Sequence, residues 1–165
     1  MKEYVISFYK HYFGAGPTGI LATIIIWIGA KGVGEMIHLP ALPVGETLRA
    51  VLVALFLIDS AVTIVWSLVA LPPKERSVRM VRSGPFKLVR HPLYSAFIWS
   101  GTGAVALWLK SWSVLFSVVP ISLFWTWHIR DEEAFMVEKF GDEYRDYMKR
   151  TEQFFPIFRR EKREQ

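Results

Sequence analysis

Apolar residues along this chain collect into four runs joined by short polar segments, and within each run the hydrophobicity is continuous rather than striped. The longest run, Ala50 to Leu71, holds one charge, Asp59, and matches the roughly 20 residues that a bilayer-spanning helix requires. Leu93 to Leu109 and Trp112 to Trp127 contain no charge, each near the lower limit of about 17 residues for a span. Lys110 and Ser111 lie between them, so the pair reads as a helical hairpin whose arms cross in opposite directions, anchored at the interface by Trp108 and Trp112. Helices apolar on every side belong in lipid rather than half-exposed on a soluble core. The first run is shorter, from Pro17 to Ala30, with Lys31, Gly32, Gly34 and Glu35 before Met36 and Ile37. It predicts a span over about residues 16–38. A cleaved signal peptide competes, but the run starts late and no small-residue cleavage motif follows. Leu39 to Val44, with Pro40 and Pro43, is the connecting loop.

The C-terminal segment has another character. Arg130 to Arg150 is charged throughout yet keeps Phe135, Met136, Phe140, Tyr144 and Tyr147 at spacings of three to five residues, the pattern of an amphipathic helix. It is expected to break near Gly141, lie back on the membrane surface and end before Pro156. The fold class is therefore an all-α membrane protein of about four transmembrane helices, at most five, with a cytoplasmic C-terminal amphipathic segment. Its organisation divides into N-terminal spans over 1–72, a site-bearing part over 73–158 and a charged tail over 159–165.

Composition reinforces the membrane assignment: of 165 residues 52% are hydrophobic and 15% aromatic. The formal charge of +5 matters less than its placement. Lys74, Arg76, Arg79, Arg82, Lys87 and Arg90 stand between the second and third runs, against Lys110 alone between the third and fourth. Cationic loops stay in the cytoplasm. That puts the basic loop there together with both termini, in keeping with Lys2 and Lys10, and points to lipid headgroups rather than nucleic acid. The absence of cysteine excludes disulfides, thiol nucleophiles and thiolate metal sites. His11, His38, His91 and His128 have no ligand spacing, so no metal is expected.

Two clusters can carry chemistry. In GPFKLVRHPLY, Gly84 to Tyr94, the Gly84–Pro85 turn and Pro92 at a helix start hold Arg90 and His91 at the mouth of the third run. Free amides there favour a carboxylate or phosphate; the plainer alternative is Arg90 snorkelling to lipid phosphates with His91 as a cap. In DEEAFMVEKFGDEY, Asp131 to Tyr144, Glu132 or Glu133 faces inward and can pair with Arg90 or Arg130 or bind an amine or sugar hydroxyls; the alternative is a solvated helical face of little energetic weight. Asp59 is an intramembrane acid, functional by default, unless it only hydrogen-bonds a neighbouring helix.

Taken together, GPFKLVRHPLY, an EE pair after a helical hairpin, FGDEYRDYMKR and FFP resemble the isoprenylcysteine carboxyl methyltransferase and phospholipid methyltransferase group of integral membrane enzymes, over residues 78–158. The resemblance implies a cytoplasmic-face site that binds S-adenosylmethionine, releases S-adenosylhomocysteine and opens sideways to lipid for a lipophilic or amphiphilic substrate. It carries the cofactor positions onto Met80, Val81, Phe86, His91, Pro92, Leu93, Tyr94 and Glu132, with Phe86 replacing a common tyrosine. Arg90 and Glu133 become the charged groups nearest the transferred methyl. Tyr144, Tyr147 and Arg150 become part of a lid. Such a reaction needs alignment and water exclusion rather than a metal or nucleophile.

One departure bears on substrate. Prenylcysteine methyltransferases carry an arginine about four residues before the cofactor glutamate, where this chain has His128, with Arg130 two residues on. A phospholipid headgroup, a lipid amine or another hydrophobic acid stays open. Sterol reductases, which use NADPH, share the arginine-histidine-proline string and an RDE segment, but their chains hold many more spans. A membrane scaffold binding anionic lipid is the non-enzymatic alternative.

Overall fold

The computed structural model describes residues 15–72, 75 and 78–156. Lys2, Lys10, His11, Lys74, Arg76 and the tail over 159–165 lie outside the described residues. Among those described, all regular elements are helical. Two helices are long and apolar enough to cross a membrane, α1 (Gly16–Met36) and α2 (Glu46–Ala70). A third candidate arises if α4 (Trp112–His128) is taken together with α5 (Arg130–Phe140), from which it is bent by 41°. Six of the eleven residues of α5 are charged, which sets it apart from the hydrocarbon region.

A helical hairpin stands at the expected place, but neither arm alone is among the helices long and apolar enough to cross a membrane, and its first arm is not one uniform helix. This arm, α3 (residues 92–108), runs as α-helix over Pro92–Ser95, as π-helix over Ala96–Gly101 and as α-helix again over Thr102–Trp108. Nothing in the local string AFIWSG forbids an ordinary α-turn, and the widened turn buries Ala96, Ile98 and Ser100. The second arm breaks at Ser117, between Trp112–Phe116 and Val118–His128; Pro120 has no N–H to return to Phe116. Lys110 takes a positive φ at the hairpin tip, and its carbonyl accepts from the Leu42 amide at 2.9 Å. Glu46 at the start of α2 pairs with both Lys110 and Arg49, and Arg49 also donates to the Trp108 carbonyl at 3.2 Å.

Close contacts depend on missing side chains. A Cβ on Gly19 would enter the ring of Trp125, and one on Gly103 would meet Phe56 at 2.9 Å. Trp125 is fully buried with Ile98, Ile121 and Ile129, and Tyr94 and Phe154 complete this core. Its indole donates to the Thr23 hydroxyl at 2.9 Å, which in turn donates to the Gly19 carbonyl at 2.8 Å. Trp27 likewise donates to Thr102 at 3.1 Å. Elsewhere α2 presents Leu55, Leu57, Ile58, Val62, Val65 and Val69 outward, an apolar surface that only lipid or a partner would cover.

α5 ends at Gly141, whose φ of 58° and ψ of −133° are open to glycine at little cost. Beyond it α6 (Asp142–Arg150) turns Tyr144 and Tyr147 inward and leaves Arg145, Asp146, Lys149 and Arg150 exposed. The chain then runs extended alongside the start of α3. The Arg90 amide donates to the Glu152 carbonyl at 2.8 Å and the His91 amide to that of Gln153 at 3.0 Å. Ser95 Oγ donates to the Phe154 carbonyl. Residues 152–154 thus form a strap over the N-terminus of α3.

Candidate functional site

Arg90 and His91 precede Pro92, whose fixed φ starts α3 and whose missing N–H leaves no orphan donor there. Their side chains are buried, and both point at Glu133, one turn into α5. Arg90 Nε donates to Glu133 Oε1 at 2.9 Å, and Nη2 lies 2.8 Å from the same oxygen. Arg90 Nη1 donates to the carbonyls of Thr151 and, at 3.3 Å, Met148. His91 Nε2 is 3.2 Å from Glu133 Oε1, while Gln153 Nε2 donates to Oε2 at 2.9 Å. The Arg90–Glu133 pair therefore gathers the start of α3, the end of α6 and the strap.

Burial on its own would raise the pKa of Glu133, but hydrogen bonding and charge from His91, the charge of Arg90 and the Gln153 amide outweigh it and hold the carboxyl at about 2. An ionised Glu133 can only accept. His91 Nε2 must therefore carry the proton in that bond. The other ring nitrogen, Nδ1, lies 4.0 Å from Glu132 Oε1.

Glu132 is the more accessible member of the acidic pair, its side chain about one-third exposed. It accepts from the Tyr94 hydroxyl at 3.1 Å. The Tyr94 ring stacks on His91 at 5.6 Å and on Trp125 at 4.5 Å, so the phenol is fixed by aromatic faces on both sides. Over this group, Tyr147 donates its hydroxyl to the Phe86 carbonyl, and Tyr144 meets Tyr147 edge-on at 5.9 Å. Burial pushes both phenols above their usual range, for Tyr144 with help from the Glu133 charge. They stay neutral at physiological pH. Arg82 pairs with Glu143 and donates to Met80 Sδ at 3.6 Å, tying α6 to the loop before Gly84.

Of the residues singled out in the sequence, Arg90, His91, Tyr94, Glu132 and Glu133 form one connected group, with Pro92 and Leu93 in its supporting helix and Phe86, Tyr144 and Tyr147 along its edge. Val81 is buried and Met80 half-buried in the preceding loop. Arg130 and Arg150 are exposed. His128 faces the start of α1, where its Nε2 lies 2.9 Å from Thr18 Oγ1 and 3.1 Å from the Ala15 carbonyl; it touches the group only through Trp125, at 5.9 Å. Sequence reasoning missed Gln153, Thr151 and Trp125. Gln153 directly precedes the FFP string, which was a signal, but its partner lies 20 residues back. No group of three or more metal-ligating side chains occurs among the described residues.

The apolar helices mark an integral membrane protein, with a buried polar group at one end of a helical hairpin. The isoprenylcysteine carboxyl methyltransferase (ICMT) family model matches residues 46–138, more than half of the chain. The chain belongs to that family. It is also similar to a protein-S-isoprenylcysteine O-methyltransferase of Saccharomyces cerevisiae, 32% identical over 74 residues that make up 45% of this chain and 31% of the yeast protein. The match thus spans about a third of that relative's length.

Proposed function

We infer that this chain is an S-adenosylmethionine-dependent methyltransferase acting on a lipophilic or amphiphilic substrate. The observation that carries the reading is the group formed by His91, Tyr94, Glu132 and Glu133, held at the N-terminus of an apolar hairpin in a chain of the ICMT family. In this reading α3 and α4 join α1 and α2 as spans, and the Lys- and Arg-rich loop places the group at the cytoplasmic face.

The donor set suits the cofactor. Glu132 keeps acceptor capacity beyond its one bond from Tyr94 and stands partly exposed, the arrangement that ribose hydroxyls require. His91, Tyr94, Phe86 and the buried tyrosines of α6 supply aromatic faces for a sulfonium. When bound, the cofactor supplies an electrophilic methyl group. The protein's own tasks are then alignment and exclusion of water. Met80, Val81, Pro92 and Leu93 would complete the wall, and α6, pinned through Tyr147 to the Phe86 carbonyl and through Glu143 to Arg82, would close it.

Arg90 and Glu133 are spent on each other, on the Met148 and Thr151 carbonyls and on Gln153 of the strap. We assign them a positioning role beside the reacting groups: Arg90 fixes Glu133, and Glu133 fixes the His91 ring and its protonated Nε2. His128 is occupied by Ala15 and Thr18 rather than aimed at the group. That favours a substrate other than a prenylcysteine carboxylate, with Arg130 and Arg150 at the mouth.

The test is calorimetric titration of the detergent-purified protein with S-adenosylhomocysteine and, separately, with NADPH, using His91→Ala as control. Micromolar binding of the first, lost in the variant, is the expected result. Binding of NADPH alone would move the protein to the reductases, and binding of neither in folded protein would refute the assignment.

A further inference from the structure

Asp59 sits midway along α2, roughly 16 Å from its Ala70 end at 1.5 Å per residue. It is exposed, in a helix of spanning length, where a carboxylate is costly. Ser100 of α3 donates to its Oδ2. A carboxylate can accept several hydrogen bonds, so one hydroxyl leaves most of its acceptor capacity unused.

What surrounds the carboxylate is a cleft of about 150 Å³ between α2, the π-turn of α3 and the strap, bordered by Asp59, Thr63, Ser95, Trp99 and Phe155. The π-turn shapes it, burying Ser100 and leaving Trp99 outward. The Trp99 and Phe155 rings meet at 5.3 Å, inclined by 56°. A carboxylate in a cleft lined by two aromatic rings and by hydroxyls is the equipment for an ammonium: a charge-assisted bond, with the rings as cation-π partners. An anionic head would be repelled, and an apolar tail would strand the carboxylate oxygens. The volume decides the size of the guest. It falls below the roughly 300 Å³ of pockets that enclose a drug-sized ligand, so only a small head enters and its chain remains in lipid.

We propose that this cleft is a binding site for the protonated amine of a lipophilic alkylamine, with Asp59 as its counter-ion. The site is distinct from the Glu132–Glu133 group and does not depend on the methyl-transfer reading. The two are neighbours, since Phe154 also lines the cleft while its ring lies 6.0 Å from that of His91.

The experiment is equilibrium binding of tritiated dodecylamine, dodecanol and dodecanoate at pH 7 to the full chain in phosphatidylcholine nanodiscs, with empty discs as background. The amine should bind at least tenfold more tightly than the alcohol. Asp59→Asn should remove that preference and leave the alcohol unchanged. Ser100→Ala, which keeps the carboxylate and frees its oxygen, should retain the preference and covers the case in which Asp59→Asn fails to fold. Equal affinity for amine and alcohol in the unaltered protein would overturn the proposal. So would an amine affinity that Asp59→Asn leaves intact, or loss of the preference in folded Ser100→Ala, which would show that the Asp59 carboxylate is not what selects the amine.

Discussion

Replacing Glu133 with Gln keeps the shape of the side chain and removes its charge. The buried guanidinium of Arg90 then faces a neutral amide, and the incoming NH₂ group opposes donors from Arg90, His91 or Gln153 that each point at a carboxylate oxygen. Breaking a buried ion pair from one side costs about 3–5 kcal/mol. Against a total stability of order 5–15 kcal/mol that is a large fraction. At roughly 2–4 °C per kcal/mol for a chain of 150–250 residues, Tm should fall by about 6–20 °C. The assay is thermal unfolding in detergent, followed by circular dichroism at 222 nm, for Glu133→Gln, Arg90→Met and the double variant. The stranded charge disappears when both partners are gone, so Arg90→Met should cost less in the Glu133→Gln background than alone, with a coupling of about 2 kcal/mol or more. Losses that add within about 0.5 kcal/mol would refute the pairing as the source of the stability.

Other expectations follow from single features. Glu133 titrates near 2 when folded against 4.5 ordinarily, so the unfolded chain binds more protons between those values; the contribution is complete above about pH 4.5 and is lost as pH falls toward 2. Tm measured from pH 6 to pH 2.5 should show that decline, flattened in Glu133→Gln. Tyr94→Phe keeps both ring stacks and loses the bond to Glu132, so it should weaken S-adenosylhomocysteine binding several-fold, by about 1 kcal/mol, with Tm nearly unchanged. Tyr94→Ala should lower both. Gly19→Val drives a branched side chain into the Trp125 ring and should cost about 1–3 kcal/mol as overpacking, read as a drop in Tm.

The apolar runs were legible because uniform hydrophobicity over span length is rarely met outside a bilayer, and helix ends fell within a few residues of the expected positions at Gly16, Ala70 and His128. The break at Gly141 was legible for a local reason, a glycine between two charged helical stretches. The π-turn at Ala96–Gly101 was not, because nothing in the string AFIWSG sets it apart from an ordinary helical turn. For the site, Arg90, His91, Glu132 and Glu133 could be picked out as chemistry-bearing residues. Which of them satisfy each other is a fact of three dimensions: the string of charges does not say that Glu133 is sealed and Glu132 accessible. The strap escaped notice because its hydrogen bonds join residues about 60 positions apart.

The strap also sets an order of assembly. Glu152, Gln153 and Phe154 are synthesised after every other residue of the polar group, yet their carbonyls receive the Arg90 and His91 amides and the Ser95 hydroxyl. In the proposed four-span topology the hairpin therefore enters the bilayer with those donors still turned to water, and the group closes only once the C-terminal segment has been made and folds back. A ribosome that stops before residue 152 would leave a correctly inserted protein without a finished site, and quality control that inspects only the apolar helices would not tell it from the complete one.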